Sequence, residues 1–260
     1  MLYNEPMSWA ERRRAFIIAI IIAMGVTIAA LVFMAVWYQA PTCTDGVQNQ
    51  DEAGVDCGGS CPYLCSAQAQ QPTVRFVTAL PGAGGRTDVV AYIDNPNANA
   101  AVQGAPYTVE VYGPEATVLA RFSGTVDLPP RSTVPIFIPS VYQGDGSVRN
   151  SFLTFDPSSM RWFASTDVPP VLPVSDIQVV GTTTPRVTAT LSNPTPNTLY
   201  NVKVVASVFD SSGNVIAASQ TIVPRVGPQA SADMTFMWDA PFTGVPAKEE
   251  IVPVLPIVHP

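Results

Sequence analysis

Four cysteines, the only ones in the chain, lie close together at Cys43, Cys57, Cys61 and Cys65. In an oxidising compartment such a cluster forms disulfides, and four cysteines allow three pairings. The alternative is a zinc site, in which the last three residues, spaced by four positions, supply thiolates and Cys43 is the fourth ligand. The compartment inferred below favours two local disulfides over zinc.

Oxygen ligands are interleaved with these cysteines at Asp45, Asn49, Glu52 and Asp56. Hard cations such as calcium prefer oxygen ligands of this kind, so the segment is a possible calcium site. Its spacing is not that of an EF-hand. The alternative is that these side chains make Asx turns and face solvent. Because the segment is too small and too polar to bury a core, cross-links must hold it together.

Residues 43–65, which read CTDGVQNQDEAGVDCGGSCPYLC, resemble the C-x-DG-x-x-N-x-x-E-x-G-x-DCGG-x-C-x-x-C modules that recur in exported bacterial and archaeal proteins. The resemblance implies an extracytoplasmic module and names no activity.

An uncharged run precedes this module at residues 15–38, and it is long enough to cross a bilayer as one helix. Arg12, Arg13 and Arg14 flank it on one side only, which predicts a cytoplasmic N-terminus. Trp37 and Tyr38 stand where an aromatic belt meets the outer interface. The run is longer than a signal peptide's apolar region and lacks a small-x-small cleavage site, so an uncleaved anchor is predicted.

Charge and histidine content bound the chemistry of the exported part. The chain has a formal net charge of −7 with one histidine, His259 near its end. This balance argues against nucleic acid as a partner and against electrostatic attraction to an anionic lipid surface. A single terminal histidine argues against a Ser-His-Asp triad, and neither a nucleophile elbow nor a phosphate-binding loop is present. The sequence therefore predicts no catalytic residues and no enzyme.

Beyond a polar linker, short alternating apolar and polar runs recur between Pro, Gly and Asn, without helical periodicity. This pattern predicts antiparallel β-sandwiches. The run ending in Asn95-Pro96 aligns with the run ending in Asn193-Pro194, 98 residues later, and both continue into a second similar strand. We read the Asn-Pro pairs as strand-ending turns.

The repeat resembles the FxLYD-type and water-stress (late-embryogenesis-abundant) β-sandwich domains, on the strand ending in Asn-Pro and the later hairpin 208–215. The fold class predicted is mainly β: two tandem immunoglobulin-like antiparallel sandwiches behind one transmembrane helix and a small disulfide module. The boundaries expected are a cytoplasmic tail at 1–14, the helix at 15–38, module and linker at 39–71, and sandwiches at 72–168 and 169–260.

Two runs, Trp162-Phe163 and Phe236 with Trp238, are predicted to place aromatic rings on both faces of a strand, although a sandwich needs only one apolar face. These rings are therefore either exposed at the surface or buried between domains. The sequence predicts a non-catalytic structural or binding protein of a prokaryotic cell envelope, held in the lipid bilayer by residues 15–38. Its expected partner is an envelope protein or a polysaccharide. Two alternatives remain: a subunit of a pilus-like or secretion assembly, and a carbohydrate-binding or enzyme-accessory module.

Overall fold

A computed structural model describes residues 8–37, 42–49, 51–144 and 146–257. These residues form one long N-terminal helix, a disulfide-bonded segment and thirteen strands. This architecture confirms the prediction of a mainly β protein behind a single apolar helix. Single turns of 3₁₀ helix connect some elements, at Ser66–Gln68, Ala83–Gly85, Pro114–Ala116 and Pro157–Ser159.

Helix α1 spans Trp9–Trp37 and begins before the uncharged run. Its start is fixed by a reciprocal cap, in which the Ser8 N–H donates to Glu11 Oε2 at 2.8 Å and the Glu11 N–H donates to Ser8 Oγ at 3.4 Å. Every side chain described from residue 9 to 36 is exposed. The helix is long and apolar enough to cross a membrane, and its apolar surface is not covered by the rest of the described chain.

The first sandwich is made of two sheets with a common core. Its strands are β1 (Thr73–Pro81), β2 (Arg86–Asn95), β3 (Ala100–Tyr112), β4 (Val118–Leu128), β5 (Ser132–Gln143), β6 (Asn150–Phe155) and β7 (Trp162–Ala164). Sheet I has the order β1-β2-β5, and sheet II has the order β4-β3-β6 with β7 on the edge of β3. The inward-facing side chains of β2 and β3 alternate with outward-facing ones, and they bury the core against Trp162.

The second sandwich repeats this arrangement. Its strands are β8 (Val174–Val180), β9 (Arg186–Asn193), β10 (Leu199–Phe209), β11 (Val215–Val226), β12 (Ala230–Met237) and β13 (Lys248–Val254). Sheet III has the order β12-β9-β8 and sheet IV the order β11-β10-β13. Sheet III therefore corresponds to sheet I, and sheet IV corresponds to sheet II. A separate core, with Leu191, Val204 and Phe236 among its members, lies between them.

A buried asparagine closes the same corner in both sandwiches. The amide nitrogen of Asn95 donates to the carbonyl oxygens of Ala100, Leu128 and Pro129 at 2.9, 3.1 and 2.8 Å. The amide nitrogen of Asn193 donates likewise to three carbonyl oxygens, those of Asn197, Val226 and Gly227. Each asparagine is thus more than a strand-ending turn, because it satisfies backbone acceptors of two connections.

The two sandwiches pack through the outer faces of sheets I and IV. Tyr92 is buried there, and its hydroxyl donates to Ser207 Oγ at 3.0 Å. The ring of Phe76 on β1 lies 6.4 Å from that of Phe209 on β10. Ala218 completes the apolar part of this interface, with side chains of sheet I. The layers therefore follow the order II, I, IV, III.

Strand β10 crosses sheet I rather than running along it. Lys203, near its start, lines a cavity with Phe137 of β5. Further along β10, Ser207 meets β2 and Phe209 meets β1. The strands of the two facing sheets therefore lie crosswise, as in orthogonal sheet packing. An ion pair adds to the contact, in which Arg86 Nη1 lies 2.6 Å from Asp239 Oδ2. The immunoglobulin-like class and the domain boundaries stay predictions.

Candidate functional site

Two disulfides cross-link the cysteine-rich segment. Cys43 is bonded to Cys61, and Cys57 is bonded to Cys65. All four cysteines are therefore paired, in one of the three pairings that the sequence left open. Cys43, Cys61 and Glu52 lie close enough to share a metal ion, but two of these groups are joined as a disulfide and offer no thiolate.

The carboxylates of the module face its own backbone. Asp56 Oδ1 accepts from the Asp45 N–H at 2.9 Å, and Asp56 Oδ2 accepts from the Gly46 N–H at 3.0 Å. Asp45 accepts from the Val47 N–H and from the Asn49 amide, both at 2.9 Å. These bonds favour the ionised form, so the pKa of Asp45 lies below its ordinary value, with the Asn49 amide as the largest cause.

Glu52 is the buried acid of the module. Its Oε2 accepts from the backbone N–H groups of Asn49 and Asp56, at 3.3 and 3.2 Å. Its Oε1 lies 3.1 Å from Cys61 Sγ, which carries no proton in the disulfide. Asn49 Oδ1 is buried and, within the described residues, has no hydrogen-bond partner.

The structure brings Asp45, Asn49, Glu52 and Asp56 into one hydrogen-bonded cluster, with Asp56 in the left-handed region at φ 55°. The bonds are those of Asx-type turns. Calcium binding stays a prediction. It is tested by calorimetry of the oxidised protein at millimolar calcium, with Asp56→Ala as the variant that abolishes the heat.

The module is fastened to the first sandwich. The Leu64 N–H donates to the Trp162 carbonyl at 2.8 Å, and Tyr63 forms an isolated bridge with Phe163. Ile257, from the end of the described chain, is buried against Phe163, with Tyr63 packed beside it. The module, the first sandwich and the last described residue therefore meet at one end of the molecule.

The membrane-flanking residues lie on or beside α1. Arg12, Arg13 and Arg14 are exposed within its first two turns. Trp37 is its last residue, and only its backbone is described. Tyr38 lies outside the described residues. Since a hydrocarbon core needs about 20 helical residues, the arginines stand outside it when the uncharged run spans it.

The predicted aromatic pairs are mostly buried. Trp162 lies in the first core, and Phe163 points the opposite way, beneath the module. Phe236 lies in the second core. Trp238 is half-buried and donates from Nε1 to the Ala218 carbonyl at 2.9 Å. These rings have structural roles, which agrees with burial rather than a binding surface.

A different aromatic pair is exposed on the outer face of sheet II. The rings of Tyr112 and Phe152 meet edge to face with centroids 5.6 Å apart, and Phe152 is 56% exposed. The Tyr112 hydroxyl donates to Glu110 Oε2 at 2.6 Å, and Arg121 Nε donates to Glu110 Oε1 at 2.8 Å. We call these four residues the aromatic face.

The polar part of the aromatic face is preorganised. The hydrogen bond from Tyr112, and then that from Arg121, hold the pKa of Glu110 below its ordinary value. The same bond to Glu110 raises the pKa of Tyr112. At neutral pH the face therefore presents one carboxylate, one guanidinium and two rings, without net charge.

The aromatic face corresponds position by position to the part of sheet IV that packs on sheet I. In sheet II, Glu110 lies opposite Arg121 on one side and Phe152 on the other. In sheet IV, Ser207 lies opposite Ala218 and Glu250. Ser207 and Ala218 form the interface between the sandwiches. One copy of this face is occupied by a β-sheet, and the other is exposed.

Sequence reasoning missed the aromatic face, although a signal for it was present. The aligned strands place Glu110 and Tyr112 against Ser207 and Phe209. The sequence does not show that the outer face is covered on β10 and exposed on β3, because that depends on how the two sandwiches pack.

Comparisons with known proteins give little. The search against family models found no match, and the search of curated proteins found none either. Among solved structures, the chain is similar to a red sea bream transglutaminase at 14% identity and a TM-score of 0.23. The similarity covers 71% of this chain and 29% of that transglutaminase.

The prediction that the protein is not an enzyme is corrected by this comparison. The matched structure is that of an enzyme, so we withdraw the prediction. At a TM-score of 0.23 the similarity carries no argument about the fold, and none for transglutaminase chemistry in this chain.

Proposed function

We propose that this protein is a single-pass membrane protein of a prokaryotic cell envelope, which presents the aromatic face to a second envelope protein. An apolar helix and disulfides are compatible with a membrane-anchored extracellular protein. Arginines on one flank of α1 support a cytoplasmic N-terminus, with module and sandwiches outside. The acidic balance of the chain argues against nucleic acid as a partner.

One observation carries the choice of partner: the counterpart of the aromatic face, on sheet IV, already binds a β-sheet within the molecule. Ser207 and Ala218 meet side chains of sheet I there, Tyr92 among them. A sheet with the same strand order and register presents Glu110 and Arg121 in their places. We therefore propose that the partner docks a β-sheet face, with an apolar centre for Phe152 and polar groups for the ion pair.

The orientation is tested by labelling in intact cells. Ser212→Cys lies in an exposed hairpin of the second sandwich, and Ser8→Cys lies at the start of α1. Because the native cysteines are paired, each introduced thiol is the single reactive one. A membrane-impermeant maleimide is expected to label position 212 in intact cells and position 8 only after lysis. The reverse result would invert the topology.

The partner is tested by site-specific crosslinking in the native envelope. A photoreactive amino acid replaces Phe152, and the matched control replaces Thr235, which is exposed on the outer face of sheet III. We expect a protein adduct of one mass at 152 and not at 235, and we expect Arg121→Glu to remove it. Retention on cell-wall polysaccharide that Phe152→Ala abolishes, with no protein adduct, would favour carbohydrate binding. With the photoreactive residue at Ala29 in α1 instead, an adduct between neighbouring α1 helices would favour a pilus-like or secretion assembly.

A further inference from the structure

An exposed apolar surface lies between the two sandwiches, at the end of the molecule that carries the disulfide module. Val168 is 61% exposed, Val171 is 81% exposed and Tyr200 is 66% exposed. Val168 and Tyr200 line a cavity of about 430 Å³, with Pro169 and Pro170 along its wall. Among the described residues, Asp167 is the only charged one along it. We call residues 168–171 together with Tyr200 the apolar rim.

The apolar rim is close to the point where the chain leaves the membrane. Ile257 lines the same cavity and is buried against Phe163, beside Tyr63 of the module. The module begins at Cys43, six residues after the last residue of α1. Six residues span at most about 22 Å when fully extended. A bilayer that holds α1 is therefore within short reach of this end of the first sandwich.

The backbone of the rim is suited to a water-poor surface. Three of the six residues from 168 to 173 are prolines, which have no N–H group to leave unsatisfied in lipid. Leu172 is buried in the second core, so the segment is held in place and does not collapse onto its neighbours. Tyr200 adds a ring with a polar tip, a side chain enriched at membrane interfaces.

We propose that the apolar rim lies in the headgroup layer of the same bilayer that α1 crosses, so that the exported part rests against the membrane. This inference relies on the membrane anchoring proposed above. The contact is apolar, since the described residues that line the cavity include one acidic and no basic side chain. It therefore does not need anionic lipid, in keeping with the acidic balance of the chain.

The test uses the full chain in nanodiscs that hold one copy each, with phosphatidylcholine carrying doxyl quenchers. A fluorophore is placed at Val171→Cys. The matched control is Val245→Cys, an 82% exposed valine in the loop next to Phe209, at the other end of β10. Ala29→Cys, within α1, reports whether the helix is in the bilayer.

We expect shallow doxyl lipids to quench the label at 171 at least threefold more than the label at 245. The introduction of Val168→Asp should reduce that quenching severalfold, and one-third phosphatidylglycerol should leave it unchanged. Quenching at 29 without quenching at 171 would overturn the inference and leave the anchor intact. Absence of quenching at 29 would overturn the anchor itself. A label at 171 that is shielded from aqueous iodide but not quenched by lipid would mean that protein covers the rim, which also overturns the inference.

Discussion

Replacing Asn193 by alanine tests whether the buried asparagines hold the sandwiches closed. Asn193 is 1% exposed. Its amide donates to three carbonyl oxygens, and its Oδ1 accepts from the N–H of Thr195 at 3.0 Å and from the hydroxyl of Thr195 at 2.7 Å. With a net contribution of about 1 kcal/mol for each bond, less what water restores, the loss is about 3–5 kcal/mol.

Urea unfolding of the full chain in detergent measures this loss, with Trp238 as a reporter in the second sandwich. For an m-value of about 2 kcal/mol per molar urea, the midpoint should fall by roughly 2 M. Asn193→Asp keeps the shape but turns an oxygen toward three carbonyl oxygens, so we expect an equal or larger loss at neutral pH. The acid form of that aspartate is favoured in the fold, which raises its pKa; the variant should therefore regain stability as the pH falls.

Asn214→Ala is the control, because Asn214 is exposed and its side chain makes one hydrogen bond, to Asp210. It should cost less than about 1 kcal/mol. A loss at Asn193 no larger than that of Asn214→Ala would refute the reasoning. It would mean that water replaces the three donated bonds without penalty.

Three further perturbations probe other contacts. Burial raises the pKa of Tyr92 to about 12. Since an unfolded tyrosine titrates near pH 10, stability should fall by about 3 kcal/mol between pH 10 and 12, and Tyr92→Phe should flatten that part of the unfolding profile. Serine at both Cys43 and Cys61 opens a loop with a sequence separation of 18 and should destabilise the module by about 3 kcal/mol, measured as faster hydrogen exchange there. Asp239→Asn breaks a half-exposed ion pair and should lower the free energy of unfolding, measured by urea denaturation, by less than about 1 kcal/mol. A larger loss would show that this pair determines the packing of the sandwiches.

Most strands follow from the sequence because their alternation reports which face is buried. In β9, which covers the alternating run 186–192 and ends one residue later, every second side chain is buried. The start of α1 carries a Ser-x-x-Glu cap that the sequence shows, and it places the start of the helix six residues before the uncharged run. Strand β13 was harder, since Pro253 interrupts its pattern and is tolerated only because the strand lies at a sheet edge.

The packing of the two sandwiches could not be predicted from the sequence. Val90 and Tyr92 alternate with core residues in β2, so both faces of that strand are apolar, which indicates a second covered face but not what covers it. The disulfide pairing was equally open, because it depends on where the chain turns and not on the spacing of the cysteines. Phe152 gave no signal of exposure, since an aromatic residue in a strand is normally read as core.

The contact between the sandwiches joins unlike faces of two similar units, so it is not the self-complementary contact of a two-fold pair. One unit offers its sheet I and the other its sheet IV, so sheets II and III become the two ends of an open series. At the sheet III end, Thr188 and Thr190 stand where sheet I has Val90 and Tyr92, which removes the apolar centre that a further unit would need. The molecule is therefore directional: its series is capped by threonine at one end and can be extended only at the other.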